Sequence, residues 1–164
     1  MSVIPQILFQ RRRIRLIGVD VFVSEEVFDL FPIEHEHIQK FAGNVLKSNG
    51  IICCDINIVF INDEKMTELN EKYKKREGTT DVLSFNLSEE SSDIVEGEVY
   101  ISLERAEQQA SDSSVPYDEE IIRLVTHGLL HLAGITHNND EEYRLMMQNT
   151  EKFVKKYFHD GDMN

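Results

Sequence analysis

The segment from Pro116 to His137 constrains the fold of this 164-residue chain more than any other part of the sequence. After Pro116 and an acidic first turn, apolar residues cover nearly every side of a helix, and such a helix is buried. His127 and His131 are four residues apart in it, so a helix places both imidazoles on one face, in or beside the core. The apolar residues are Ile121, Ile122, Leu124, Val125, Leu129, Leu130, Leu132 and Ala133.

A third histidine follows the predicted end of this helix. Gly134 can adopt the left-handed conformation that commonly ends a helix, which lets the chain turn back and present His137. Three neutral imidazole nitrogens suit a zinc-like ion that keeps a fourth position open for water or substrate. We therefore predict one divalent metal bound by His127, His131 and His137, with Zn²⁺ favoured and Ni²⁺ or Co²⁺ open. His35 and His37 are expected on the surface.

The spacing of the three histidines, H-x-x-x-H-x-x-G-x-x-H, is also that of the metzincin proteases. In those enzymes a glutamate follows the first histidine and serves as the base. Here Gly128 holds that position. A metallopeptidase stays open as a less favoured alternative, because its metal-bound water would lack the usual proton acceptor.

Composition predicts one intracellular domain over residues 1–164. No apolar run reaches the length of a membrane span, and the N-terminal arginines follow the apolar residues, whereas a secretory signal has its basic residues first. Cys53 and Cys54 are adjacent in a predicted strand, which favours buried thiols over a disulfide or a metal pair. We expect a cytoplasmic protein that does not act on membranes.

The charge distribution is uneven. With 17 basic and 30 acidic residues the net charge is −13, which opposes nonspecific binding of polyanions. Two basic clusters stand out nevertheless, one in the segment 72–76 and one in the segment 11–15. Their members are Lys72, Lys74, Lys75 and Arg76, with Tyr73 among them, and Arg11, Arg12, Arg13 and Arg15. Solvated charge is the simplest interpretation of both.

Hydrophobic periodicity predicts a single α+β domain, with a small mixed sheet of about four strands, about five helices and the metal site at the end of a buried helix. Strands are expected at 14–23, 51–61, 80–85 and 98–102. Helices are expected from Pro32 to Gly50, after Asn62 or Asp63, around 104–110, from Pro116, and over 140–157. The polar segment 88–93 is expected to be a surface loop.

The histidine segment resembles the signature of the YbeY endoribonuclease family, H-G-x-L-H-L-x-G-Y-D-H. Three further blocks resemble that family in order and spacing: Leu69-Asn70-x-x-Tyr73, Thr80-Asp-Val-Leu-Ser-Phe85 and Gly97-Glu-Val-Tyr-Ile-Ser102. The resemblance covers about residues 50–155, and residues 1–30 carry no matching motif. It implies a metal-dependent endoribonuclease that cleaves single-stranded RNA in small-subunit rRNA 3′-end maturation and ribosome quality control. Its implied partners are rRNA and the small ribosomal subunit or one of its proteins.

Two positions depart from the family pattern. Thr136 stands where the family usually has an aspartate, so a hydroxyl replaces a carboxylate that could orient a ligand. Lys74 stands where the family usually has an arginine implicated in its function, and lysine lacks the planar fork that grips phosphate. We expect Lys74 and Arg76 to contact phosphate and to stabilise the transition state.

The alternative to an endoribonuclease is a non-catalytic ribosome-associated assembly factor with a structural metal.

The sequence identifies no general base. Asp81, Ser84 and Glu98 lie in the matching blocks, but spacing alone does not bring them to the metal. For Asp81 and Ser84, hydrogen bonding between loop and strand is the favoured interpretation.

Overall fold

The computed structural model describes residues 16–159, and it has the predicted α+β fold of a single domain. Two short helical segments accompany the regular elements: a 3-10 helix at Glu25–Leu30, which the sequence did not predict, and a π-helical turn at Asn70–Lys74. The strands are β1 (Ile17–Val23), β2 (Cys54–Ile61), β3 (Val82–Asn86) and β4 (Val95–Ser102). The helices are α1 (His35–Ser48), α2 (Asp63–Leu69), α3 (Leu103–Ser113), α4 (Tyr117–Leu132) and α5 (Asp140–His159).

The four strands form one mixed sheet in the order β1-β2-β4-β3. β1 and β4 pair with β2 in parallel, and β3 pairs with β4 in the antiparallel direction. The hairpin of β3 and β4 therefore occupies one side of the sheet, with β3 at its edge. The predicted mixed sheet is confirmed.

The main hydrophobic core lies between one face of the sheet and helices α1, α4 and α5. Helix α4 is buried as predicted, and its residues Ile121, Ile122 and Leu129 are fully buried. A smaller cluster on the other face contains Met66 of α2, with Val59, Leu83 and Tyr100. Because α4 packs across β3 and β4, the residues on its sheet-facing side have fixed positions.

Several predicted boundaries were wrong by a few residues. Helix α1 begins at His35 instead of Pro32, after an extended Glu34. The strand expected from residue 51 begins at Cys54, because Ile51 donates its N–H to Leu46 O and completes the cap of α1. Strand β4 begins at Val95, three residues before the predicted 98, since it pairs with the whole of β2.

Other sequence predictions have simpler outcomes. Both cysteines are free thiols, Cys54 buried and Cys53 half-buried. His35 and His37 are exposed, as predicted. Among residues 16–159, no helix is long and apolar enough to cross a membrane. The predicted strand residues 14 and 15 and the arginine cluster at 11–15 lie outside the described residues.

Candidate metal centre

Helix α4 supplies two of the three histidines and ends where the sequence predicted. Gly134 has a φ of 85°, in the left-handed region. Its N–H donates to His131 O at 3.0 Å, and the N–H of Ile135 donates to Leu130 O at 3.0 Å. This pair of hydrogen bonds is the Schellman arrangement, which satisfies the last carbonyls of a helix and reverses the chain. The reversal brings the loop that carries His137 back beside the end of α4.

The start of α5 holds that loop in place. Asn139 Oδ1 accepts the N–H of Glu142 at 2.9 Å, and the Glu142 carboxylate accepts the N–H of Asn138 at 2.7 Å. These reciprocal bonds at the N-terminus of α5 fix the residues directly after His137. The Tyr143 ring contacts the His137 ring edge-on, with centroids 5.0 Å apart.

The three imidazoles converge as the sequence predicted. One nitrogen from each of His127, His131 and His137 lies within 4.8 Å of the other two. Nε2 of His127 and Nε2 of His131 are 3.1 Å apart. Two nitrogens of a tetrahedral zinc site are about 3.3 Å apart, given metal–nitrogen bonds of about 2.0 Å. The donor set and its spacing therefore fit a divalent metal bound by three histidines.

Burial keeps the two helix histidines in the form that binds metal. It lowers the pKa of His131 to about 4, and His127, His137 and Lys74 add to this effect. Burial also lowers the pKa of His127, while the carboxylate of Asp81 acts in the opposite direction. Both imidazoles are therefore neutral near pH 7, and each has a lone pair to donate.

The glycine after the first histidine packs tightly against the sheet. Gly128 faces the sheet, and a Cβ atom placed on it would lie 2.4 Å from Val99 Cγ1 and 3.2 Å from Val82 Cγ2. Any side chain at residue 128, a glutamate included, would therefore force the Val99 side chain or the helix to shift. Packing at residue 128 therefore disfavours the glutamate that serves as the base in the metzincin proteases.

The π-helical turn brings Lys74 beside the candidate metal centre. Lys74 Nζ donates to Ser84 O at 3.4 Å and lies 4.9 Å from the centre of the Phe85 ring. Ser84 in turn donates its hydroxyl to Gly128 O, directly after His127. The charge of Lys74 is among the causes that lower the pKa of His131. Phe85 also contacts Tyr73 edge-on, with centroids 5.7 Å apart.

The other cations of this turn are more exposed. Arg76 lies on the surface, and within residues 16–159 no hydrogen bond or ion pair engages its guanidinium. Its N–H donates to Asn70 O at 3.4 Å, and Asn70 Nδ2 donates to Gly78 O at 2.9 Å. These bonds close the loop and place Arg76 on the same basic turn as Lys74.

The three residues considered as possible bases have different surroundings. Asp81 Oδ1 accepts the N–H of Val82 at 2.8 Å, the predicted local role, but Asp81 also lines a cavity with His127. Ser84 donates its hydroxyl to Gly128 O at 2.9 Å and ties β3 to α4.

Glu98, the third of these residues, is buried and accepts the hydroxyl of Tyr100 at 2.9 Å. Since Val99 faces Gly128, its neighbour Glu98 lies on the opposite face of the sheet, away from the histidines.

Sequence reasoning missed Arg123, one turn before His127 on α4. Arg123 NH1 donates to Glu120 at 2.6 Å, NH2 donates to Glu119 at 2.7 Å, and Nε donates to Glu151 of α5 at 2.5 Å. These carboxylates raise the pKa of Arg123 above its ordinary value. The spacing of four residues between Arg123 and His127 was the available signal, since it places both on one helix face.

The fold and the three histidines together define a class of protein: a single-domain α+β protein with a candidate metal centre at the end of a buried helix. A family model described as Endoribonuclease YbeY matches residues 25–158. This match starts at residue 25, whereas the motifs identified in the sequence resemble the family only from about residue 50.

Individual relatives agree with that match. Endoribonuclease YbeY of Flavobacterium psychrophilum is 37% identical over 120 residues, which are 73% of this chain and 84% of the relative. The same-named protein of Endomicrobium trichonymphae is 35% identical over 130 residues, 79% of this chain and 90% of the relative. The solution structure of TM1509 from Thermotoga maritima has a TM-score of 0.61 at 24% identity, covers 87% of this chain and 91% of its own, and supports the fold. The chain belongs to the YbeY endoribonuclease family.

Proposed function

We propose that this protein cleaves single-stranded RNA with a divalent metal held by His127, His131 and His137, and that it acts in small-subunit rRNA 3′-end maturation and ribosome quality control. The observation that carries the proposal is the convergence of three imidazoles at the end of α4, with Lys74 held against Ser84 of the neighbouring strand β3. Membership of the YbeY family supports RNA as the substrate. The proposed location is the cytoplasm, and the proposed partners are rRNA and the small ribosomal subunit or one of its proteins.

The chemistry divides between the metal and the basic turn. When bound, a divalent ion such as Zn²⁺, Ni²⁺ or Co²⁺ polarises a phosphoryl oxygen and acidifies a water. Lys74 contributes an ammonium group at the edge of β3, where it offsets the negative charge that develops on the phosphate. Arg76 extends the positive edge and binds a neighbouring phosphate of the strand.

The aromatic residues of the same turn favour a single strand. Tyr73 is 40% exposed, and Lys72 Nζ lies 5.2 Å from the centre of its ring. Exposed aromatic rings among cations stack unpaired bases, which a duplex does not offer. The net charge of −13 opposes nonspecific binding elsewhere on the surface. The proposed substrate is therefore a single strand that enters along the basic turn.

The first experiment uses purified protein with metal, after chelation, and after metal is restored. A single-stranded RNA and the same RNA annealed to its complement are the two substrates. We expect cleavage of the single strand only, loss on chelation and recovery with metal. Absence of metal-dependent cleavage from a folded, metal-loaded protein would support the structural-metal alternative. Chelator-sensitive cleavage of casein would support a peptidase.

The second experiment maps rRNA 3′ ends in cells that carry His127→Ala. We expect unprocessed small-subunit 3′ ends to accumulate. His37→Ala serves as the matched control, because His37 is exposed and outside the metal centre. Normal 3′ ends in the His127→Ala cells would contradict the proposed role in rRNA maturation.

A further inference from the structure

A second feature of the site is a cavity of about 630 Å³ that opens beside His127. It lies between α4 and α5 and is bounded on the other side by Asp81 and by Gln109 of α3. Cavities of this size are typical of sites for small organic groups. Because His127 belongs both to the cavity wall and to the candidate metal centre, a group in the cavity would be adjacent to the reacting phosphate.

The charge of the cavity is opposite to that of the basic turn. Its wall contains the carboxylates of Asp81, Glu120 and Glu151 and one cation, Arg123. Arg123 donates to Glu119, Glu120 and Glu151 together, so its positive charge is already more than balanced. A phosphate is disfavoured in this environment. The part of an RNA strand that fits is a nucleobase, which is uncharged.

Hydrogen-bonding groups in the wall specify which base fits best. Asp81 Oδ2 accepts a single hydrogen bond among the described residues, from Gln109 Nε2 at 2.9 Å, so it can accept another. The Gln109 side chain adds a second acceptor, its amide oxygen, in the same wall. Guanine is the base with an imino N–H and an amino group side by side, and it can donate to two adjacent acceptors. Uracil places carbonyl oxygens on both sides of its single N–H, and the carboxylate repels them.

Apolar side chains supply surfaces for the faces of the base. Val115, Leu124 and Met147 line the cavity, and Tyr143 stands at its border with the His137 ring. Aromatic and apolar contacts of this kind hold unpaired bases in enzymes that act on nucleic acids. The wall therefore offers both contacts for the ring faces and acceptors for the edge.

We propose that this cavity binds a guanine base next to the phosphate that the enzyme cleaves, with Asp81 and Gln109 as the residues that recognise its edge. This inference rests on the proposed ribonuclease function and adds a base preference to it. It assigns the two sides of the metal centre different parts of the substrate: phosphates to the basic turn, and one base to the cavity.

The first test measures nucleoside binding without any cleavage. The chain has no tryptophan, so Tyr143→Trp places a single fluorescent reporter at the cavity. Guanosine, inosine, adenosine, cytidine and uridine are titrated separately. We expect guanosine to quench the reporter with at least about tenfold higher affinity than inosine, which lacks the amino group, and uridine to be weakest. Equal affinities for all five nucleosides, or no quenching, would overturn the proposal.

Two variants give this test its controls. Phe28→Trp places the reporter on an exposed residue of the 3-10 helix, outside the cavity, and should show no nucleoside-dependent quenching. Asp81→Asn with Tyr143→Trp replaces a carboxylate by an amide of similar shape, and we expect the preference for guanosine over inosine to disappear. Retention of that preference would overturn the role of Asp81.

The second test measures cleavage of single-stranded RNAs that differ in one nucleotide beside the scissile bond. We expect the largest kcat/KM with guanine there, and a loss of at least about tenfold with inosine. Cleavage without base preference would overturn the cavity proposal and leave the ribonuclease function standing. Selective guanosine binding without cleavage of any RNA would instead contradict the ribonuclease function, so the two failures are distinguishable.

Discussion

The two sides of the candidate metal centre differ in charge and in exposure. On the side of His131, the turn at 72–76 presents cations and an exposed tyrosine to solvent. On the side of His127, the cavity wall carries three carboxylates and one saturated arginine. A nucleotide has the same division, since its phosphate is charged and its base is not. The difference suggests that the site orients an RNA strand through charge, with the metal at the boundary.

The largest expected effect comes from removing a histidine of the candidate metal centre, which lies between the two sides. His131→Ala deletes one of the three ligand nitrogens, so we expect loss of bound metal and a decrease in RNA cleavage of more than about 100-fold. Mutations of residues that only hydrogen-bond to a metal ligand already cost up to about 100-fold. Metal analysis and cleavage rates are measured on the same preparations. His37→Ala should match the parent. Full metal content in His131→Ala would show that the three-histidine assignment is wrong.

Removal of Lys74 tests the basic side alone. Lys74→Ala takes away the ammonium group that contacts Ser84 O, and we expect kcat to fall by about 100-fold while metal content stays unchanged. Lys156→Ala, at the far end of α5, controls for a general loss of positive charge. Lys74→Arg should retain activity, because a guanidinium keeps the charge and adds bidentate contacts. An unchanged kcat in Lys74→Ala would remove this residue from the mechanism.

The packing of Gly128 of α4 against Val99 of β4 fixes the position of the helix that carries His127 and His131. Gly128→Ala puts a Cβ atom 2.4 Å from Val99 Cγ1, so we expect destabilisation of about 2 kcal/mol, as for other overpacked cores. Denaturant unfolding measures the change. The double variant Gly128→Ala with Val99→Ala should lose less stability than the sum of the two single variants, since the smaller side chain makes room. Strict additivity would contradict direct contact.

Stacking of an RNA base on the exposed Tyr73 ring is expected to contribute less to function than the metal ligands or Lys74. Tyr73→Ala removes the exposed ring of the turn, and we expect single-stranded RNA to bind about tenfold more weakly, in the range of one base stacked on an aromatic ring. Tyr73→Phe keeps the ring and should bind like the parent. A loss of affinity in Tyr73→Phe equal to that in Tyr73→Ala would point to the hydroxyl group and contradict stacking.

The sequence predicted the histidine ligands of the candidate metal centre better than it predicted the cavity. His127 and His131 are brought together by helical spacing and Gly134 ends the helix in a left-handed cap, and both features depend on neighbouring residues in the sequence. The cavity arises from three helices and a loop that are distant in sequence, so Gln109 and Glu151 gave no local signal. The contact of Gly128 with Val99 likewise requires the strand order β1-β2-β4-β3, which periodicity does not determine.

The smallest effects are opposite pKa changes in the two helix histidines, and they separate the two sides most directly. Lys74 lowers the pKa of His131, whereas Asp81 raises that of His127. In metal-free protein we expect Lys74→Ala to raise the pKa of His131, and Asp81→Asn to lower the pKa of His127. Titration of the imidazole protons by NMR measures both. If both variants shifted both histidines equally and in one direction, the two sides would not be electrostatically distinct.

The same pKa values predict how the metal-free protein responds to acid. The pKa of His131 is about 4 in the folded protein, against an ordinary value of 6.5, so between these values the unfolded chain binds the extra proton. The contribution of neutral His131 to stability is therefore complete above pH 6.5 and decreases as the pH falls towards 4. We expect the Tm of the metal-free protein to fall over this range, and to fall less in His131→Leu, which cannot be protonated. His37→Ala should follow the parent, and an equally steep fall in His131→Leu would assign the acid sensitivity to other groups.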